Sequence, residues 1–92
     1  IAYSAIIEVK DGYTIDSIKE SYAEALKEYY TSAKDDEEIR YTVVAALLSN
    51  TPGVIDFTDF KLAGGVKNIE VEVDDYPVTD VEDMNFTATL EG

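Results

Sequence analysis

Residues 39–73, IRYTVVAALLSNTPGVIDFTDFKLAGGVKNIEVEV, set a short helix, a hard stop, a strand, a glycine turn and a second strand in immediate succession. Val43, Val44, Leu47 and Leu48 recur at helical spacing, and the small Ala45 and Ala46 let that helix approach its neighbours closely. Thr42 is placed to cap the first turn with its hydroxyl. Pro52 ends the helix: it forces Thr51 into extended backbone, and Asn50 and Gly53 both tolerate the left-handed geometry that a stop requires. Beyond the stop, Ile55 and Phe57 occupy odd positions but Phe60 and Leu62 even ones, so the strand must change phase near Thr58-Asp59, as a bulge or bend causes. Ala63-Gly64-Gly65 then turns the chain, and Ile69, Val71 and Val73 alternate with Glu70 and Glu72 at the period of a half-buried strand.

Upstream, Tyr3, Ala5, Ile7 and Val9 alternate with Ser4, Glu8 and Lys10, which predicts a first strand, and Asp11-Gly12 predicts a turn after it. Thr14 is a suitable N-cap for the helix that follows. In that helix Ile15, Ile18, Tyr22, Ala25, Leu26, Tyr29 and Ala33 form one apolar stripe, opposite Lys19, Glu20, Glu24, Lys27 and Glu28. Lys34-Asp35-Asp36-Glu37-Glu38 has no periodic apolar face and reads as an exposed connection between the helices. Downstream, Asp74 to Asp83 reads as an acidic loop around Pro77, and Met84, Phe86, Ala88 and Leu90 mark the inward face of a final strand. The order β-α-α-β-β-β predicts an α+β, two-layer domain with two helices on one face of a mostly antiparallel, four-strand sheet, its first two strands antiparallel. Leu26, Leu47, Leu48, Ile69 and Phe86 are expected in a single core.

A chain of 92 residues is long enough for one modest core that removes roughly 60–65% of the unfolded surface from water. Residues 1–92 are therefore expected to form a single domain. The chain starts at Ile1 with no leader pattern, and reads as part of a longer protein or as a mature product. Its net charge of −13 argues against holding DNA, RNA or an anionic membrane surface, because phosphate contacts need Lys and Arg. No basic residue follows Lys67, so the last quarter of the chain faces either solvent or a basic partner.

Histidine and cysteine are absent. This excludes the Ser/His and Cys/His nucleophilic arrangements, thiolate metal sites and disulfides. Carboxylates remain, but general acid/base work requires burial or a close neighbour to separate their pKa values, and acidic loops seldom supply either. Calcium would suit so many oxygens, and an acidic small-ligand or calcium-binding accessory domain is the alternative function; neither 35–38 nor 74–83 shows the spacing of a calcium loop. No catalytic, cofactor or metal residue is assigned, and no cofactor is expected. Tyr30, off the apolar stripe, and Tyr76, beside Pro77, are expected at the surface, and together with Asp80, Glu82 and Asp83 they are the candidate interface residues.

The collinear order of these pieces resembles one family. I-R-Y-T before the short helix, N-T-P-G-V closing it, D-F-T-D-F-K-L leading to G-G, N-I-E-V after the turn, the upstream D-G-Y-T and the later Pro77-Val78 are together similar to the carboxy-terminal module of J-like baseplate proteins of contractile phage tails. Thr79 to Asp83 departs from the pattern, inserting a charged connection where the family runs more directly into its last strand. The resemblance implies a structural, non-enzymatic component of the tail baseplate that joins neighbouring wedge subunits. Its implied partners are other baseplate or tail proteins, copies of itself included, with neither nucleic acid nor membrane. The implied location is the virion tail, made in the bacterial host cytoplasm, from a phage or prophage.

Overall fold

The structure, a computed structural model, describes residues 1–71 and 79–89, apart from the side chain of Lys34. Strand β1 (Tyr3–Val9) leads into helix α1 (Ile15–Asp36), a two-residue strand β2 (Glu38–Ile39) and helix α2 (Tyr41–Ser49). Strand β3 (Val54–Leu62), a two-residue β4 (Ile69–Glu70), a 3₁₀ turn (Val81–Asp83) and β5 (Met84–Thr89) complete the described elements. β1 is the middle strand of a sheet ordered β3-β1-β5, antiparallel to β3 and parallel to β5, while β2 and β4 pair antiparallel apart from it. The fold is thus α+β with mostly antiparallel pairing. The antiparallel relation of the first two long strands holds, but the four-strand sheet is replaced by a three-strand and a two-strand sheet.

That replacement has a local cause. Ala63 and Gly64 both take positive φ, 51° and 78°, and Leu62 and Gly65 exchange both amide bonds across the tight turn. The returning arm closes a single bridge and then leaves β3, and Ile69-Glu70 finds its ladder against Ile39-Glu38. Val71 extends this pairing by donating its N–H to the Glu37 carbonyl at 2.9 Å.

α1 starts where Thr14 predicts. Its Oγ1 accepts the Ser17 N–H at 3.1 Å while Ser17 Oγ accepts the Thr14 N–H, a reciprocal cap that satisfies two groups the helix itself leaves unpaired. The helix then runs on to Asp36, through residues read above as a loop. Exposure is all that Asp35 and Asp36 require, and the outer face of a helix provides it as well as a loop does. The chain turns instead at Glu37, whose φ is 57°.

α2 begins at Tyr41 with Arg40 as its cap residue, so Thr42 is not the cap. The exposed Tyr41 N–H is satisfied by Asn68 Oδ1 at 2.8 Å, and Asn68 Nδ2 donates to Glu38 Oε1 at 3.0 Å. A side chain from beyond β3 therefore does the work expected of a local hydroxyl. At the other end, Asn50 stays right-handed at φ −91°, and Gly53 alone takes the left-handed position at φ 95°. Gly53 is also a close approach: a Cβ there would lie 2.6 Å from the Tyr13 ring. The Lys10 N–H donates to the Gly53 carbonyl at 2.8 Å, tying the β1 turn to the α2 stop.

The phase change in β3 is a bulge. Ser4 and Ile6 lie opposite Lys61 and Thr58, so an extra residue enters β3 between them, with Asp59 at φ 53°. Phe57, opposite Ile7, and Phe60 thereby face the helices together, with ring centroids 5.7 Å apart. A second shift, between Glu8 and Val9, turns Ile55 outward.

The core lies between the β3-β1-β5 sheet and the two helices. Tyr3, Ala5 and Ile7 of β1 meet Ile18, Tyr22, Leu26 and Ala33 of α1, with Val44 and Leu48 of α2, Phe60 and Leu62 of β3 and Met84 and Phe86 of β5 closing the sides. Leu26, Leu48 and Phe86 are buried as expected, while Leu47 and Ile69 are half-buried against the same cluster. Tyr3 and Tyr22 meet edge to face at 5.6 Å, a geometry that contributes about 0.5–1.5 kcal/mol beyond area burial.

Candidate interaction surface

The 3₁₀ turn carries three of the candidate residues onto the flank of α1. Asp80 and Asp83 close the turn between them: the Asp80 N–H donates to Asp83 Oδ2 at 3.0 Å, and the Asp83 N–H donates to the Asp80 carbonyl at 2.9 Å. This closes the turn on itself beside α1 and leaves Asp80, Glu82 and Asp83 exposed. Between turn and helix runs an open groove of about 640 Å³ lined by Glu20, Ala23, Glu24, Asp80, Val81 and Glu82. Its lining combines two apolar residues, Ala23 and the 40% exposed Val81, with four carboxylates, and no Lys or Arg lines it. Arg40, by contrast, pairs with Glu38 at 3.8 Å, away from the groove.

Tyr30 is not at the surface. It is 6% exposed, and its hydroxyl sits in a relay with Tyr3 at 2.5 Å and Thr79 at 2.6 Å. Thr79 Oγ1 donates its one hydrogen to the Ile1 carbonyl at 3.0 Å, so Tyr30 must donate to Thr79 and Tyr3 to Tyr30. α1 is covered both by the sheet and by Thr79 with the 3₁₀ turn, and its buried arc is therefore wider than one stripe. The i+4 series Ile18, Tyr22, Leu26, Tyr30 carries the signal, which a stripe continued through Tyr29 passes over. Tyr29 is half-buried and accepts the Arg40 N–H at 3.0 Å. Tyr76 lies outside the described residues, as does the first half of the predicted acidic loop, residues 74–78.

Burial holds the Tyr3, Tyr22 and Tyr30 hydroxyls above the usual phenol range, reinforced at Tyr3 by the Tyr30 hydrogen bond and at Tyr22 by its closeness to Tyr30, beside which a second phenolate is unfavourable. They keep their protons and serve as structural hydrogen bonds. Among the described residues no three acidic side chains converge as metal ligands would.

The sequence matches the family model of the Baseplate J-like protein C-terminal domain over residues 1–87. The chain belongs to this family. The match includes Thr79 to Asp83 and the first four residues of β5, so the charged connection lies inside the family's span. No curated protein matches the sequence. As a Baseplate J-like domain the chain has a structural role in the phage baseplate, in a family that is generally not enzymatic, alongside other components of the virion tail. Among the described residues no helix is long and apolar enough to cross a membrane.

Proposed function

We propose that this Baseplate J-like domain is the carboxy-terminal module of a longer baseplate protein, assembled in the bacterial host, and that it joins neighbouring wedge subunits of a contractile tail by protein contact rather than catalysis. The observation that carries this reading is the groove between α1 and the 3₁₀ turn, where an exposed Val81 lies among Glu20, Glu24, Asp80 and Glu82 and no Lys or Arg is among the lining residues. Exposed apolar surface lined by four carboxylates fits a basic partner surface. The carboxylates raise the rate of encounter with such a partner more than the final affinity, and salt weakens that effect. A ring of subunits multiplies contacts that are individually weak.

The test is co-purification of tail proteins with the chain at low and high salt, beside a variant carrying Asp80→Asn, Glu82→Gln and Asp83→Asn. Salt-sensitive capture that the variant loses supports the reading. Capture indifferent to both removes the groove, and no tail protein captured removes the proposal.

A further inference from the structure

The two edges of the main sheet differ in how they are protected. β3 carries the defences natural edge strands use: two register shifts, a residue at positive φ, and the charges Asp56, Asp59 and Lys61. β5 has none of them. Met84-Asn85-Phe86-Thr87-Ala88-Thr89 contains neither charge nor proline, in a chain whose residues are 29% charged. It runs six residues beside β1 in unbroken register, and among the described residues its other side pairs with no strand. Asn85, Thr87, Ala88 and Thr89 are exposed.

An uncharged, regular edge is a hazard unless something covers it, because its outward amides and carbonyls present a template for another strand. We infer that the outer edge of β5, unpaired among the described residues, receives an extended segment of a neighbouring baseplate protein by strand addition, with the Lys- or Arg-bearing end of that segment beside the acidic 3₁₀ turn. Charge selects the occupant. The edge itself is neutral, but Met84 follows directly on Asp80, Glu82 and Asp83, and Glu20 and Glu24 face the same turn. A segment with polar or β-branched residues at its centre and basic residues at one end matches both parts. A second copy of this chain is disfavoured, since it sets a net charge of −13 against −13. This inference rests on the baseplate role proposed above and deepens it by naming the edge and the chemistry of the partner.

Amide hydrogen exchange, read by mass spectrometry on the chain alone and in isolated baseplates, tests it. Peptides covering residues 84–89 should exchange about tenfold more slowly, or slower still, in the baseplate. Unchanged exchange there, in baseplates that do contain the chain, overturns the strand-addition inference and leaves the baseplate role standing. Absence of the chain from baseplates removes that role and the inference with it. Thr87→Pro and Ala88→Pro give a second test, because amides alternate along a strand and one of the pair removes only an outward N–H. The variant that keeps its circular dichroism should fail to enter the baseplate, with Thr87→Val entering normally; normal entry of a folded proline variant refutes the inference. If both proline variants unfold, exchange alone decides.

Discussion

Replacing Tyr30 with Phe should cost more than replacing Tyr3 with Phe, although both remove one buried hydroxyl. The relay runs one way, from Tyr3 through Tyr30 and Thr79 to the Ile1 carbonyl. Tyr3→Phe removes only the first donor: Tyr30 still donates to Thr79 and loses nothing but an acceptor role it does not need. The cost is that of one net hydrogen bond, about 1 kcal/mol. Tyr30→Phe leaves the Tyr3 O–H aimed at a hydrocarbon, at a residue only 1% exposed. An orphaned buried donor brings the total to about 2–3 kcal/mol. In the double variant there is no donor to orphan, so the second change adds about 1 kcal/mol and the pair costs less than the sum of the singles. At about 2.1 cal/mol/K per residue, 92 residues give about 0.19 kcal/mol/K, so the midpoint falls by about 5 °C for Tyr3→Phe and about 10–15 °C for Tyr30→Phe. Thermal and urea unfolding of the four proteins measures the cycle. Equal single costs, or strict additivity, would refute the direction assigned to the relay.

Leu48 is fully buried in α2, and Leu48→Ala should destabilise by about 2–5 kcal/mol; an unfolding midpoint unchanged within error would contradict its place in the core. Gly53→Ala meets both a left-handed φ of 95° and the Tyr13 ring at 2.6 Å, so it should destabilise strongly. Adding Tyr13→Ala removes the ring atoms at 2.6 Å but keeps the Tyr13 Cβ at 2.7 Å, so it should recover only part of the loss and leave at least the backbone part, about 1–2 kcal/mol; full recovery would show that φ at this position is unimportant. Tyr3, Tyr22 and Tyr30 have folded pKa values raised by burial above the unfolded value of about 10. Their contribution is therefore whole below about pH 10 and is lost as pH rises through the folded range, where ionisation favours the unfolded chain. In an alkaline titration followed by phenolate absorbance, these three of the seven tyrosines should ionise only as the helical signal is lost; ionisation of all seven in the folded protein would refute this.

Local chemistry alone located the helices, the stop at Pro52, the bulge near Asp59 and the turn at Ala63-Gly64, because each depends on a few neighbouring residues. Thr14 caps α1 through Ser17, three positions away, and the β3 phase change shows in the spacing of Phe57, Phe60 and Leu62. The order of these signals also carried the family, and the absence of histidine and cysteine removed whole classes of chemistry before any fold was known. Strand partnership was not legible in the same way. Ile69-Glu70 has the pattern of any half-buried strand, and nothing local says that it pairs with Glu38-Ile39 rather than with β3. The cap of α2 comes from Asn68, 27 residues from Tyr41. Whether Tyr29 or Tyr30 enters the core depends on what covers the flank of α1, and Thr79, 49 residues from Tyr30, takes part in that covering. The groove likewise joins Glu20 and Glu24 to Asp80 and Glu82, which only folding brings together. Periodicity records which side of an element is apolar; it does not record which distant segment will meet that side, because hydrophobic burial is non-directional and is satisfied by any surface of suitable shape.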